Sequence, residues 1–175
     1  ARFHQNAWIE LGRRHNLGID IKFYREKIHS KSNDKNARLL FKNAHDDLVS
    51  RISHEKETIY RNSYRPYICE IAGLRQLLDD IKANNVPCAA ASNSPAGNVD
   101  MVLDELDIRQ YFDAIVSRDQ VNTGKPNPEL FLTAAEKMGI TPNKCVVLED
   151  SVSGFKAANN AGMSLIAITC GSDLD

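Results

Sequence analysis

Three short polar clusters in this 175-residue chain carry side chains that could do chemistry together. Ser92-Asn93-Ser94 supplies hydroxyls and an amide, Thr123-Gly124-Lys125-Pro126 an ammonium, and Glu149-Asp150-Ser151 two adjacent carboxylates. Adjacent carboxylates repel each other unless positive charge lies near them. A hard cation such as Mg2+ answers that repulsion, held by few carboxylates while waters and phosphate oxygens complete its shell. Lys125 adds a fixed positive charge, and Ser92 with nearby backbone N–H groups can donate to phosphate oxygens. Together these groups make an electrostatic clamp for a phosphoryl group. Taken singly, each has a plainer reading. Ser92 could be a turn or cap residue, Lys125-Pro126 a solvated loop, and Glu149-Asp150 favourable charge at a helix N-terminus. Their shared position argues for function, because each cluster follows an apolar run.

Those runs are residues 86–91, 114–116 and 145–148, and a fourth covers 164–169. Helical patterns separate them at 74–84, 99–106, 128–138 and 153–160. Asn127 is the expected N-cap of the third helix, with Pro128 at its first position and Gly139 as its stop; Gly162 ends the fourth. Short apolar runs alternating with helices predict a parallel sheet covered on both faces. Ligands of such sheets bind beyond the carboxyl ends of the strands, which puts all three clusters on one edge. Upstream of about residue 65 the texture is different. Phe3, Ala7, Trp8 and Leu11 have helical spacing, and residues 20–29, 34–42 and 44–61 predict further helices with sparse apolar anchors. Pro66 and Gly73 punctuate a linker. The expected division is a helical domain over 1–66 and an α/β domain over 67–175.

Composition narrows the classes. Hydrophobic residues make up 42% and charged residues 26%, and 22 basic against 23 acidic side chains leave a net charge of −1. That is ordinary for a globular domain and lacks the basic excess of a dedicated nucleic-acid binder. No apolar stretch is long enough for a transmembrane helix, and the mixed-charge start does not resemble a signal peptide. Four scattered cysteines (Cys69, Cys88, Cys145, Cys170) with no CxxC predict buried, reduced thiols and a cytoplasmic protein. The expected partner is a small phosphorylated metabolite, with no nucleic acid or membrane, and the expected state is a monomer.

Longer strings carry a resemblance. Ala89-Ala90-Ala91-Ser92-Asn93-Ser94 is similar to the second motif of the haloacid dehalogenase (HAD) superfamily, a hydrophobic strand ending in Ser or Thr. Gly124-Lys125-Pro126-Asn127-Pro128-Glu129-Leu130-Phe131 resembles its third, lysine motif. Val146-Val147-Leu148-Glu149-Asp150-Ser151, followed by Gly154, Ala157-Ala158 and Ala161-Gly162-Met163, resembles its fourth, acidic motif. Within it the chain resembles the branch of the β-phosphoglucomutase-like phosphatases and mutases, and the likeness covers nearly the whole chain. It implies a Rossmann-like α/β core with an all-helical cap. It also implies a phosphoryl-transfer reaction in which an Asp nucleophile forms an aspartyl-phosphate, a second Asp two residues later serves as general acid and base, and Mg2+ assists. By position, Lys125 and Ser92 would be catalytic, Ser92 bonding the phosphoryl group and Lys125 neutralising charge. Asn93 and Ser94 would bind phosphate, Asn93 through its N–H, and Glu149 and Asp150 would hold Mg2+ directly or through water.

The departure from the family is its first motif, DxDGT or DxDGV on a hydrophobic strand. It belongs upstream of His4, on a central strand between those carrying the second and fourth motifs. The chain begins at Ala1, so the expectation is that this strand is absent here and that the chain alone is inactive. Asp79-Asp80 and Asp104-Glu105-Leu106-Asp107 lie in amphipathic helical patterns and are no substitute. The family commonly has one further strand and helix after the position of Asp175.

In the helical half, His4 and Trp8 are one turn apart, as are a histidine and a tryptophan in the branch's mutases; His4 would face the substrate and Trp8 pack. Ser30-Lys31-Ser32-Asn33 matches the specificity loop of the cap. The mutases carry an Arg where Asn33 stands, which binds a distal phosphate; a neutral amide does not replace it. Lys31 would partly restore the charge, and Lys56 with Tyr60 resembles a cap pair that approaches substrate phosphate. The resulting expectation is a Mg2+-dependent phosphatase acting on a small phosphorylated metabolite such as a sugar phosphate. The alternatives are a phosphosugar mutase and a non-catalytic HAD-like binding module.

Overall fold

The computed structural model of the chain describes residues 2–29 and 31–169; Ser30 of the specificity loop and Cys170 lie outside them. The chain divides into two compact units, Ala1–Ile68 and Cys69–Asp175.

The first unit is helical. On α1 (Arg2–Arg14), Ala7, Trp8 and Leu11 form the buried stripe. Asp20 caps α2 (Ile21–Phe23), its Oδ1 accepting the Phe23 N–H at 2.7 Å. An ordinary helix is expected over 20–29, but the chain widens after Phe23 into a π turn, Tyr24–Ile28, closed by the His29 N–H to the Tyr24 carbonyl. The wide turn leaves both Tyr24 and Ile28 buried. Ser32 caps α3 (Asn33–Leu40), and α4 (Asp46–Tyr64) turns Val49, Ile52, Lys56 and Ile59 inward at helical spacing. Leu11, Ile28, Ala37 and Ile52 centre one hydrophobic core.

The second unit alternates helix and strand: α5 (Leu74–Ala83), β1 (Ala89–Ala91), α6 (Ala96–Glu105), β2 (Ala114–Val116), α7 (Glu129–Met138), β3 (Val146–Glu149), α8 (Val152–Asn160) and β4 (Ser164–Ala167). Only the last half of the apolar run 86–91 is strand; Val86 is exposed, and Pro87 has no N–H to offer a ladder. Helix α6 starts three residues before the expected Val99, because the Pro95 carbonyl accepts from Asn98 and Val99 while Asp119 accepts the Ala96 N–H. At α7 the cap shifts by one: Pro128 is the boundary residue, Asn127 Oδ1 accepts the Glu129 N–H, and Gly139 ends the helix with φ of 68°.

The alternation alone predicts one sheet, and the family resemblance sets a further strand between those of the second and fourth motifs; the described strands form two parallel pairs. Ala89 pairs with Ala114 through Ala91 with Val116, and Val146 with Ser164 through Glu149 with Ala167. Between β1 and β3 runs an apolar cleft of about 510 Å³, lined by Leu74, Leu78, Cys88, Ala91 and Leu148 among others, with Lys125 and Glu149 also on its wall. Coverage differs between the pairs. Helix α7 packs on the Val116 side of β1–β2, and Leu78, Val99 and Leu103 cover the Ile115 side. On β3–β4, Val147 packs against α7 and α8, whereas Val146 (55% exposed) and Leu148 (46%), both on the cleft wall, and Ile166 (52%) are exposed. Among the described residues, both faces are covered for β1–β2 and one for β3–β4. The cysteines also differ from expectation: Cys69 is exposed and Cys88 and Cys145 are half-buried, all three free thiols, because the latter two precede their strands. No described helix is long and apolar enough to cross a membrane.

Candidate active site

The three polar clusters converge at the carboxyl ends of β1 and β3. Lys125 Nζ donates to Glu149 Oε2 at 2.6 Å and to the Ala91 carbonyl at 3.0 Å, and lies 4.5 Å from the Phe131 ring centroid. The lysine of one loop is thus tied to the ends of two strands 34 and 24 residues away in sequence. Both side chains are about nine-tenths buried, a setting in which a fixed charge is felt strongly.

Glu149 is fully engaged. Its Oε2 takes the lysine, and its Oε1 accepts from the backbone N–H groups of Asp150 and Ser151 and from the Ser151 hydroxyl at 2.9 Å. Burial works to raise this carboxyl, but the bond to Lys125, its charge and Ser151 outweigh burial and hold Glu149 below the usual carboxylate range. Ser151 also caps α8, its Oγ accepting the Gly154 N–H at 3.0 Å. A Cβ at Gly154 would overlap the Glu149 carboxyl, so the closeness of α8 to this carboxylate needs a glycine there. Asp150 is exposed, and burial and the adjacent Glu149 push its carboxyl upward. That is the condition a cation relieves. The residues therefore fit a Mg2+ ion with Asp150 as ligand and Glu149 as support through Lys125 and Ser151. Among the described residues there is no group of three acidic, His or Cys side chains that could hold a metal by themselves.

Ser92 follows β1, its N–H bonding the Val116 carbonyl and its Oγ accepting the Ser94 N–H at 3.1 Å. The Ser94 carbonyl accepts the Arg118 N–H. Asn93 does what its sequence position did not signal. Its Oδ1 accepts the Lys125 N–H at 2.8 Å and its Nδ2 donates to the Lys125 carbonyl at 3.2 Å. The amide thereby clamps the backbone of the residue whose ammonium reaches Glu149, and a Cβ at Gly124 would collide with that amide. The signals available in sequence were the small residues at 124 and 154, beside the polar clusters.

The remaining candidates lie in the helical unit. Lys56 is 2% exposed, its Nζ 2.7 Å from His4 Nδ1 and 2.7 Å from Glu57 Oε1. Asn33 Nδ2 donates to the same Glu57 oxygen at 2.6 Å, and the Tyr60 ring stacks on His4 at 4.0 Å. Lys31 is exposed, its Nζ returning to the Lys27 carbonyl. Trp8 is buried. Glu57 was not singled out by sequence, since a Glu beside a Lys on a polar helix reads as a solvated pair.

Comparison with known proteins places the chain. Residues 16–168 match the model of the family described as haloacid dehalogenase-like hydrolase. A phosphorylated carbohydrates phosphatase of Thermotoga maritima is 34% identical over 128 residues, which are 73% of this chain and 57% of that protein. The chain spans about half the length of the curated relatives it matches. A HAD hydrolase of family IA, variant 3, from Entamoeba histolytica superposes with a TM-score of 0.78 at 26% identity, covering 97% of this chain and 78% of the other. A β-phosphoglucomutase from Clostridium difficile gives 0.76 at 27% identity over 95% and 77%.

Proposed function

Since the chain belongs to the haloacid dehalogenase-like hydrolases, we propose that it is the cap and much of the core of a Mg2+-dependent phosphatase for small phosphorylated metabolites, sugar phosphates foremost. The observation that carries this is the Lys125 ammonium, fixed at the carboxyl ends of β1 and β3 by Glu149 and the Ala91 carbonyl. A charge held there costs no reorganisation when phosphoryl charge develops. Lys125 neutralises that charge, Ser92 and the N–H groups that follow it bind phosphoryl oxygens, and Asn93 holds the Lys125 loop. Asp150 would bind Mg2+, which when present polarises the phosphoryl group and shields the incoming nucleophile.

The reaction needs a carboxylate nucleophile on a strand between β1 and β3. The apolar cleft lined by β1 and β3 supports that reading. The helical unit would select substrate. The name of the Thermotoga relative supports a carbohydrate phosphate. Asn33 supports hydrolysis over mutase chemistry, for its amide donates to Glu57 and brings no cation for a second phosphate.

The test is inorganic phosphate release by the full-length protein from a panel of hexose and pentose monophosphates, with Mg2+ and with EDTA. Hydrolysis is expected with Mg2+ and its loss with EDTA. Lys125→Ala and Asp150→Ala should each lower kcat/KM by at least about a hundredfold. Undiminished turnover in both variants would overturn the site.

A further inference from the structure

We infer that Glu57 is a positioning residue: it keeps Lys56 an ammonium inside the helical unit, and that ammonium fixes His4 as the Nε2–H tautomer, a hydrogen-bond donor for a ligand oxygen. The chain of reasoning starts from donor chemistry. An ammonium only donates, so His4 Nδ1, 2.7 Å from Lys56 Nζ, must accept. A neutral imidazole that accepts at Nδ1 carries its proton on Nε2. Everything then depends on the charge of Lys56.

Lys56 is 2% exposed, and burial drives a lone lysine toward the neutral amine. A neutral amine can accept from an Nδ1–H, which would free the tautomer. Glu57, itself 6% exposed, opposes this with a 2.7 Å ion pair and raises the lysine. Asn33 of α3 in turn holds the Glu57 oxygen at 2.6 Å. The ring plane is fixed as well, since Tyr60 stacks on His4 with an interplanar angle of 2°. His4 Nε2 has no hydrogen-bond partner among the described residues, so the donor is left for a ligand.

Protonation of His4 is suppressed. Burial and the Lys56 charge, opposed by Glu57, hold its pKa at about 4. At neutral pH His4 therefore donates from Nε2 and shuttles no proton. The ligand oxygen suited to it is that of a hydroxyl or a phosphate ester. Its use toward a phosphorylated substrate rests on the function proposed above; the tautomer does not.

Long-range 1H–15N correlation spectra of the labelled chain at pH 7 read the tautomer directly. His4 should show an unprotonated Nδ1 and a protonated Nε2. Glu57→Gln should move His4 toward a mixture of tautomers while the other four histidines stay in place. Leaving Lys56 without its partner could unfold the unit. The double variant Lys56→Met/Glu57→Gln removes both charges and should likewise release the tautomer and raise the His4 pKa from about 4. An Nδ1–H in the native protein, or an unchanged tautomer in either folded variant, overturns the inference. In the full-length enzyme Glu57→Gln should raise KM about tenfold, one hydrogen bond's worth, with kcat little changed. A native enzyme that releases no phosphate would defeat the proposed function and leave the spectra to decide this inference; hydrolysis with neither tautomer nor KM altered would defeat this inference alone.

Discussion

At the scale of single residues, the site depends on how closely Glu149 and the Lys125 loop are approached by their neighbours. A methyl group at 154 would overlap the Glu149 carboxyl. Gly154→Ala should therefore push Glu149 off Lys125 and Ser151 and destabilise the protein by about 1–3 kcal/mol, the usual cost of forcing volume into a packed place. Denaturant titration measures this, and an unchanged midpoint would show that α8 can retreat. Asn93→Ala removes both bonds to the Lys125 backbone and should cost about 1–2 kcal/mol. It should also speed amide exchange at Lys125. Asn93→Asp, which keeps the acceptor for the Lys125 N–H, should restore that protection. The types Lys125, Glu149 and Asp150 were legible in the sequence because their chemistry is intrinsic. That Glu149 serves the lysine with one oxygen and Ser151 with the other was not, since it depends on where α8 starts relative to β3.

At the scale of elements, the helical unit couples packing to protonation. His4 on α1 meets Lys56 and Glu57 on α4. Its pKa is about 4 when folded and near 6.5 when exposed. Between those values the unfolded chain binds the extra proton, so stability is full above about pH 6.5 and falls as pH drops toward 4. The loss should be on the order of 2 kcal/mol and should shrink in His4→Gln, as thermal or denaturant unfolding at pH 7, 5.5 and 4.5 would show. A histidine variant with the same pH slope as the native protein would contradict this. Most helices were legible here from apolar spacing, including the stripe of α1. The π turn Tyr24–Ile28 was not, because its sequence carries the same spacing as an ordinary helix.

At the scale of the molecule, each unit has its own core. Leu11 is fully buried within the core of the helical unit. Leu11→Ala should cost about 2–5 kcal/mol, as for other buried leucines, and hydrogen exchange in α1 and α4 should report it. In the α/β unit the order of strands and helices followed from the alternating pattern. The division into two parallel pairs flanking an apolar cleft followed only from the family resemblance, which sets a further strand between those of the second and fourth motifs; ladder pairing joins backbones distant in sequence and leaves no mark on the strands themselves.

The sequence by itself determined the family, the α/β alternation and the chemical inventory of lysine, hydroxyl and paired carboxylates, since motif spacing and residue type are local properties of the chain. Only the tertiary structure decided what those groups do to one another. It gave Lys125 to Glu149 and the Ala91 carbonyl, set Asn93 on the Lys125 backbone, and buried Lys56 between His4 and Glu57. Charge state, tautomer and hydrogen-bond partner depend on distances of a few ångströms between residues far apart in the chain, and folding alone fixes those distances.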